Sequence, residues 1–441
     1  MLKHVLLLLT LMTVLMTRFE AQADDISPQV QECEDFKVEI PAYFTKGLIT
    51  VPEDWSHPEG SKIKVFYYGN FGGPHETPII FFNGGPTFHS HVAFGQIQTN
   101  AKSSDLPIIY MDQRGTGCSD PYPTDLTTAN IERLALYGSR AIVKDAEALR
   151  KLVLKNRKWK VYGQSFGGLI AHRYLEVAPE GIASLHIHGN AVMTDWHMFY
   201  KMRLLSQKRV VENYFQKFPD DRILLNAIRT QIPASTCFDN QNIKICGDSI
   251  LDAAVLILGF PTSWDQLHLS LMTMVDKEGV LLKNRLSRFV DAFIFQTFSN
   301  QSLPVALIAK LEMNSGDDNN QCSEALKLLK ADGETPETWP LNECRLASSI
   351  QYLASNSASD FLMAGFKKKD PLVLATLKNS LTRAPQIKVS LYSGQLDVYV
   401  PKKTYSEEVQ FLGSRINYFN FENSGHDGYL SEPQIWDELR K

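Results

Sequence analysis

The sequence has no strong excess of charge of either sign: 45 lysines and arginines stand against 49 aspartates and glutamates, a formal net charge of −4. Its one tight basic cluster runs from Lys367 to Lys369, and a solvated face explains it. Nucleic-acid binding needs a clustered basic surface and is not indicated. The six cysteines include no close C-x-x-C pair, so a structural zinc site is not indicated either. The apolar run near the N-terminus, Val5 to Met16, falls short of the roughly 20 residues a membrane-spanning helix requires, which argues against a stable membrane anchor.

That same N-terminal stretch has a cationic start at Lys3 and ends in Ala21-Gln22-Ala23. The pattern is that of a cleaved secretory signal, expected to cover residues 1–23 with cleavage after Ala23. Removal takes Lys3, Arg18 and Glu20 away, leaving 43 basic and 48 acidic residues and a net charge of −5. The expected location is secreted or periplasmic. An even number of cysteines after such a signal suits disulfides. Six cysteines allow 15 pairings; proximity favours Cys237–Cys246 and Cys322–Cys344, which leaves Cys33 for Cys118.

With 44% hydrophobic residues the composition is that of a globular chain. Its length suits two or three domain-sized units, or one large domain with an insertion. Short apolar runs separated by turns begin near residue 40. "KGLITVP" and "SKIKVFYYGNF" read as a strand pair; "TPIIFFNGGP" and "LPIIYMDQRGTG" read as buried strands running into turns. "SRAIVKDAEALRKLVLKN" has helical spacing, "WKVYG" reads as a strand, "GGLIAHRYLEVAPE" as a helix and "SLHIHG" as a strand. Alternation of this kind predicts an α/β fold with a mostly parallel sheet. Between about 195 and 380 the pattern turns helical, with a capping-box signature at Ser263 and Gln266 and a long apolar helix in "VLLKNRLSRFVDAFIFQTF". Strands return in "QIKVSLYSGQLD" and "RINYFNFENSGH". No fixed-period repeat or low-complexity tract interrupts the chain. The expected organisation is a core over 24–194 and 381–441, split by a helical cap over 195–380.

Between "WKVYG" and the following helix stands Gly163-Gln164-Ser165-Phe166-Gly167, a G-x-S-x-G pattern in the strand–turn–helix context of a nucleophile elbow. Alone the pattern is weak. A serine nucleophile needs a base, and the base an orienting acid, following in the order Ser, Asp or Glu, His in this type of fold. Asp397 lies just past one late strand and His426 just past the last, in a glycine-flanked loop. His172, His186, His188, His197 and His268 fit worse by position. Asp427 adjoins His426 and ranks below Asp397, because neighbouring residues do not readily present side chains to each other. The Phe166 N–H at the helix start and the Gly85 N–H in "FFNGGPT" are the expected oxyanion donors. Asp112 and Arg114 are expected to form a buried pair bracing the nearby loops. No cofactor or metal is called for by this chemistry.

These residues resemble the prolyl aminopeptidase (proline iminopeptidase) family of α/β-hydrolases, which includes secreted tripeptidyl aminopeptidases. The likeness also rests on "VPEDWSHPEGSKIKVFYYG", "IIYMDQRGTGCSD" and "IVKDAEALRKLVLKNRKWKVYGQSFGG", and covers about residues 45–190 and 385–435. It implies removal of an N-terminal residue, often proline, from short peptides by serine acyl transfer. It maps Ser165, Asp397 and His426 onto nucleophile, acid and base, and Gly85 and Phe166 onto the oxyanion donors. The sequence departs from the family's H-G-G-P-G with Asn83 and Thr87, and carries Phe166 where many members have Trp or Tyr. The cap glutamates that hold the substrate's ammonium group in that family have no evident counterpart. Two other readings stand beside this one: an esterase using the same triad, and a non-catalytic binding protein on the same scaffold.

Overall fold

The computed structural model describes residues 40–441 apart from 87, 101, 124–127, 193–194, 241–242, 296–311, 313–317, 353–369 and 371. The expected signal segment 1–23, Cys33 with its expected bond to Cys118, Thr87 and the lysines 367–369 lie outside the described residues. An eight-stranded sheet organises the chain in the order β1-β2-β4-β3-β5-β6-β10-β11. The strands are β1 Thr45–Pro52, β2 Lys62–Gly69, β3 Ile79–Phe82, β4 Ile108–Met111, β5 Trp159–Gln164, β6 Ile182–His188, β10 Lys388–Gly394 and β11 Ile416–Phe421. β1 and β2 pair antiparallel, as do β2 and β4; every later pairing is parallel. The mostly parallel α/β sheet expected from the sequence is therefore present.

Local sequence explains the strand positions. β3 (IIFF) and β4 (IIYM) are buried at every residue, as strands covered on both faces must be. β1, at the edge, buries only Ile49 and Val51 in its second half. The helices Ser139–Leu154 and Phe166–Val177 close over the sheet through Ile142, Ala146, Leu149, Ile170 and Tyr174. The helix Leu374–Arg383 joins the same apolar cluster through Leu374, Leu377 and Leu381, so packing on the sheet resumes several residues before 381. β3 lies between β4 and β5; at such a reversal of strand order the carboxyl ends part to leave a crevice.

The inserted segment has its own apolar cluster, running from Val210 to Leu346. The helices Trp196–Lys217, Pro219–Thr230 and Trp264–Met272 contribute to it. It is not wholly helical. β7 Cys237–Asp239, β8 Ile243–Cys246 and β9 Ile350–Tyr352 form a small antiparallel sheet. Both expected disulfides within this region occur, Cys237–Cys246 across the β7–β8 pair and Cys322–Cys344. Two local expectations fail. Ser263 makes no side-chain cap, since the helix Trp264–Met272 is entered through a 3₁₀ turn at Pro261–Ser263. Among the described residues of the long apolar stretch the α-helix covers Lys283–Val290, after which Asp291–Phe295 forms a π-helical turn. Among the described residues no helix is long and apolar enough to cross a membrane.

Candidate active site

Ser165 ends β5 and opens the helix Phe166–Val177. Its backbone has φ +56° and ψ −121°, a conformation that side-chain-bearing residues adopt only when their surroundings impose it. The glycines around it show how. A Cβ on Gly163 would stand 2.0 Å from the Gly167 carbonyl oxygen, and one on Gly167 would stand 2.0 Å from that of Phe82. Strand, turn and helix are in backbone contact at both points, so only glycine fits. The loop after β3 closes on the same turn: a Cβ on Gly84 would lie 2.7 Å from Gln164 Oε1 and 3.0 Å from Ser165 Cβ. Gly85 follows at φ +115°, partly exposed. The Ser165 N–H donates to the His188 carbonyl at 2.9 Å.

Asp397 and His426 meet beside this turn. His426 Nδ1 lies 2.8 Å from Asp397 Oδ2, and both side chains are buried. The other carboxylate oxygen, Oδ1, accepts from the N–H groups of Tyr399 and Val400 at 2.8 and 2.9 Å. Both oxygens are thus engaged and the carboxylate cannot rotate freely. The elbow and the pair are tied together: Gln164 Nε2 donates to the His426 carbonyl at 3.1 Å. Gly189, one residue beyond β6, lies so close to the imidazole that an added Cβ would come within 2.9 Å of Cε1. The sequence-predicted Ser165, Phe166, Gly85, Asp397 and His426 therefore gather at the carboxyl edge of the sheet, from the ends of β3, β5, β10 and β11.

The remaining candidates are engaged elsewhere. His172 is buried against Glu408 at 2.7 Å and His186 against Tyr392 Oη at 2.8 Å, while the partly buried His268 lies 2.9 Å from Asp221. His188 is wholly buried, its ring 6.4 Å from that of His426; burial, and then the nearby His426, push its pKa down to about 4, which keeps it neutral. Asp427 turns away to Thr262. The expected Asp112–Arg114 pair is not made. Asp112 accepts from the Ser90 N–H and hydroxyl and from the Cys118 N–H. Arg114 instead forks onto Asp145 at 2.7 and 2.6 Å and donates to the carbonyls of Pro52, Glu53 and Leu136. The two side chains leave their shared loop in different directions, so the brace links this loop to the helix Ser139–Leu154.

Sequence reasoning missed what the insertion brings. Leu396 and Val398, on either side of Asp397, belong to the insertion's apolar cluster. Ser206 Oγ donates to the Asp397 carbonyl at 3.0 Å, and the Gly259 carbonyl accepts the His426 N–H at 2.8 Å. Phe260 and Tyr399 flank the imidazole with ring centroids 5.9 and 4.9 Å away. Except for Tyr399, two residues beyond Asp397, nothing local in the sequence marks these partners.

Residues 77–230 match the family described as alpha/beta hydrolase fold. A proline iminopeptidase from Aeromonas sobria is 24% identical over 168 residues, 35% of this chain and 38% of that protein. One from Xylella fastidiosa is 29% identical over 137 residues, 31% of this chain and 40% of that protein. One from Neisseria gonorrhoeae is 30% identical over 131 residues, 29% of this chain and 37% of that protein. The chain thus spans about two fifths of the length of these relatives. A crystal structure of proline iminopeptidase from Mycobacterium smegmatis aligns over 89% of this chain and 97% of its own, with 16% identity and a TM-score of 0.41. Residues 77–230, which include Ser165, match the alpha/beta hydrolase fold, and over about a third of its length the chain is similar to proline iminopeptidases.

Proposed function

We propose that this chain is an exported serine aminopeptidase that releases N-terminal residues, proline among them, from short peptides. Ser165 is the nucleophile, His426 its base and Asp397 the acid that orients the base. The observation that carries this reading is the buried Asp397–His426 pair, 2.8 Å apart, tied through Gln164 to the strained Ser165 turn. With Asp397 accepting from Nδ1, Nε2 is left to take the serine proton. Ser165 Oγ then attacks the carbonyl of the substrate's first peptide bond. The N–H groups of Gly85 and Phe166 receive the oxyanion. The imidazolium returns its proton to the leaving amine, and water, activated by the same base, releases the amino acid and restores Ser165. Two disulfides support an oxidising destination.

Selection for a free N-terminus requires a carboxylate that pairs with the substrate's ammonium group in a site of reduced dielectric. Blocking the ammonium would leave that carboxylate buried and unpaired, at about 3–5 kcal/mol, or about a hundred- to several-thousand-fold in kcat/KM. The test is a serine-directed fluorophosphonate with wild type and Ser165→Ala, followed by a panel of aminoacyl amides, their N-acetylated forms and short-chain esters. Labelling confined to Ser165 and strong preference for free amines are expected. Equal turnover of free and acetylated substrates would overturn the exopeptidase reading, and ester hydrolysis with no peptide cleavage would make the chain an esterase.

A further inference from the structure

Asp427 directly follows His426, and the acyl-transfer scheme leaves it without a role. Its side chain is buried. Oδ2 accepts from the Thr262 hydroxyl and, at 3.3 Å, from the Thr262 N–H. Thr262 belongs to the 3₁₀ turn Pro261–Ser263 that leads into the helix Trp264–Met272 of the insertion. The same corner touches the neighbouring backbone twice more. The Gly259 carbonyl takes the His426 N–H, and a Cβ on Gly425 would stand 2.2 Å from that carbonyl oxygen and 2.4 Å from Pro261 Cδ.

We propose that Thr262 is a positioning residue for the base: through Asp427 it fixes the peptide on which His426 is carried, so the insertion sets where the imidazole stands. This rests on the reading of His426 as the base. Asp397 holds one ring nitrogen and so orients the imidazole, but it does not fix the His426 Cα. That task falls to the loop, which Gly425 brings against the Gly259 carbonyl and Pro261. Gln164 holds the carbonyl of His426 and Gly259 its N–H. Thr262 secures the next residue by a side-chain hydrogen bond that a substitution can delete without altering the backbone. Without the hydroxyl, the buried carboxylate keeps the long contact to the Thr262 N–H and a contact to its own backbone N–H. It is then driven to move toward another donor, and His426 moves with it.

The experiment compares wild type, Thr262→Val, which keeps the shape, and Thr262→Ser, which restores the hydroxyl. Each is titrated with a fluorophosphonate, so that rates refer to competent sites, and assayed for labelling rate, kcat and KM. For Thr262→Val, labelling rate and kcat per site are expected to fall about 10–100-fold, the scale of a small misplacement of a reacting group. KM should change by no more than about twofold, and Thr262→Ser should recover most of the loss. A role confined to folding would lower the fraction of competent sites and the melting temperature while leaving the rate per site intact. Thr262→Val with an unchanged rate per site, or Thr262→Ser as impaired as Thr262→Val, would overturn the proposal while the wild type still labels. A wild type that does not label at Ser165 would bring down both this proposal and the function on which it rests.

Discussion

Adding one methyl group at Gly189 probes the placement of His426 directly. A Cβ there would lie 2.9 Å from His426 Cε1, 3.0 Å from Nδ1 and 3.7 Å from Asp397 Oδ2. Ordinary contact begins near 3.4 Å, so the imidazole must retreat by about half an ångström, stretching or tilting a hydrogen bond that now measures 2.8 Å. Gly189→Ala also carries a backbone cost, because φ is +63° and a left-handed conformation costs a side-chain-bearing residue about 1–2 kcal/mol. Gly413 separates the two effects. Its φ is +60°, and nothing stands within 4 Å of its would-be Cβ. Both alanine variants should therefore lose about 1–2 kcal/mol, or a few degrees of melting temperature in a chain of this size. Only Gly189→Ala should lose reactivity, by about 10–100-fold in the rate of fluorophosphonate labelling per folded molecule. If Gly189→Ala labels as fast as Gly413→Ala, the imidazole at this position is not what governs the reactivity of Ser165.

Two further outcomes concern stability. Arg114→Met should destabilise by about 3–5 kcal/mol, since it strands the wholly buried Asp145; the double variant Arg114→Met/Asp145→Leu should recover part of that in thermal unfolding, and a single variant that melts like wild type would remove the brace. Glu312 is buried and accepts from the Ser139 N–H at the start of the helix Ser139–Leu154; burial pushes its carboxyl from the ordinary 4.5 up to about 7. The folded protein then holds a proton that the unfolded chain has lost. Stability should fall as pH rises from about 4.5 to 7, by about 3 kcal/mol, and Glu312→Gln should flatten that slope in denaturant titrations run across the window. An unchanged slope in the glutamine variant would assign the dependence to other groups.

The parts of the molecule that were legible from sequence are those constrained within a few residues. The serine turn is one: Gly163 is required by contact with the Gly167 backbone four residues on, so that requirement is written where the turn is, while Gly167 answers to Phe82 on β3. β3 and β4 are another, being apolar throughout because both faces are covered. Asp397 and His426 could be placed because each follows a recognisable strand. What could not be read depends on partners far away in the chain. Asp112 and Arg114 are two residues apart, yet Arg114 pairs with Asp145 on another element, and adjacency in sequence says nothing of direction in space. Ser263 carries a good capping signature, but the turn it occupies is entered from Pro261, and the core's Asp427 reaches the Thr262 N–H there. The Gly259 carbonyl has no side chain to announce it, although it holds the His426 N–H.

The flanks of Asp397 have a consequence for the order in which the molecule can become competent. Leu396 and Val398 belong to the insertion's apolar cluster rather than the sheet's, so the loop carrying Asp397 is expected to reach its final shape only once that cluster has condensed. The sheet, with its parallel strands and elbow, can reach its native arrangement beforehand and still be inert. In refolding, recovery of reactivity should then trail recovery of the sheet's spectroscopic signal. Trimming the chain to a minimal hydrolase by excising the insertion should leave an ordered scaffold with a misplaced acid. On the proposed reading of Asp397 as the acid, the inserted segment is to that extent a finishing piece of the site, laid on from outside the sheet.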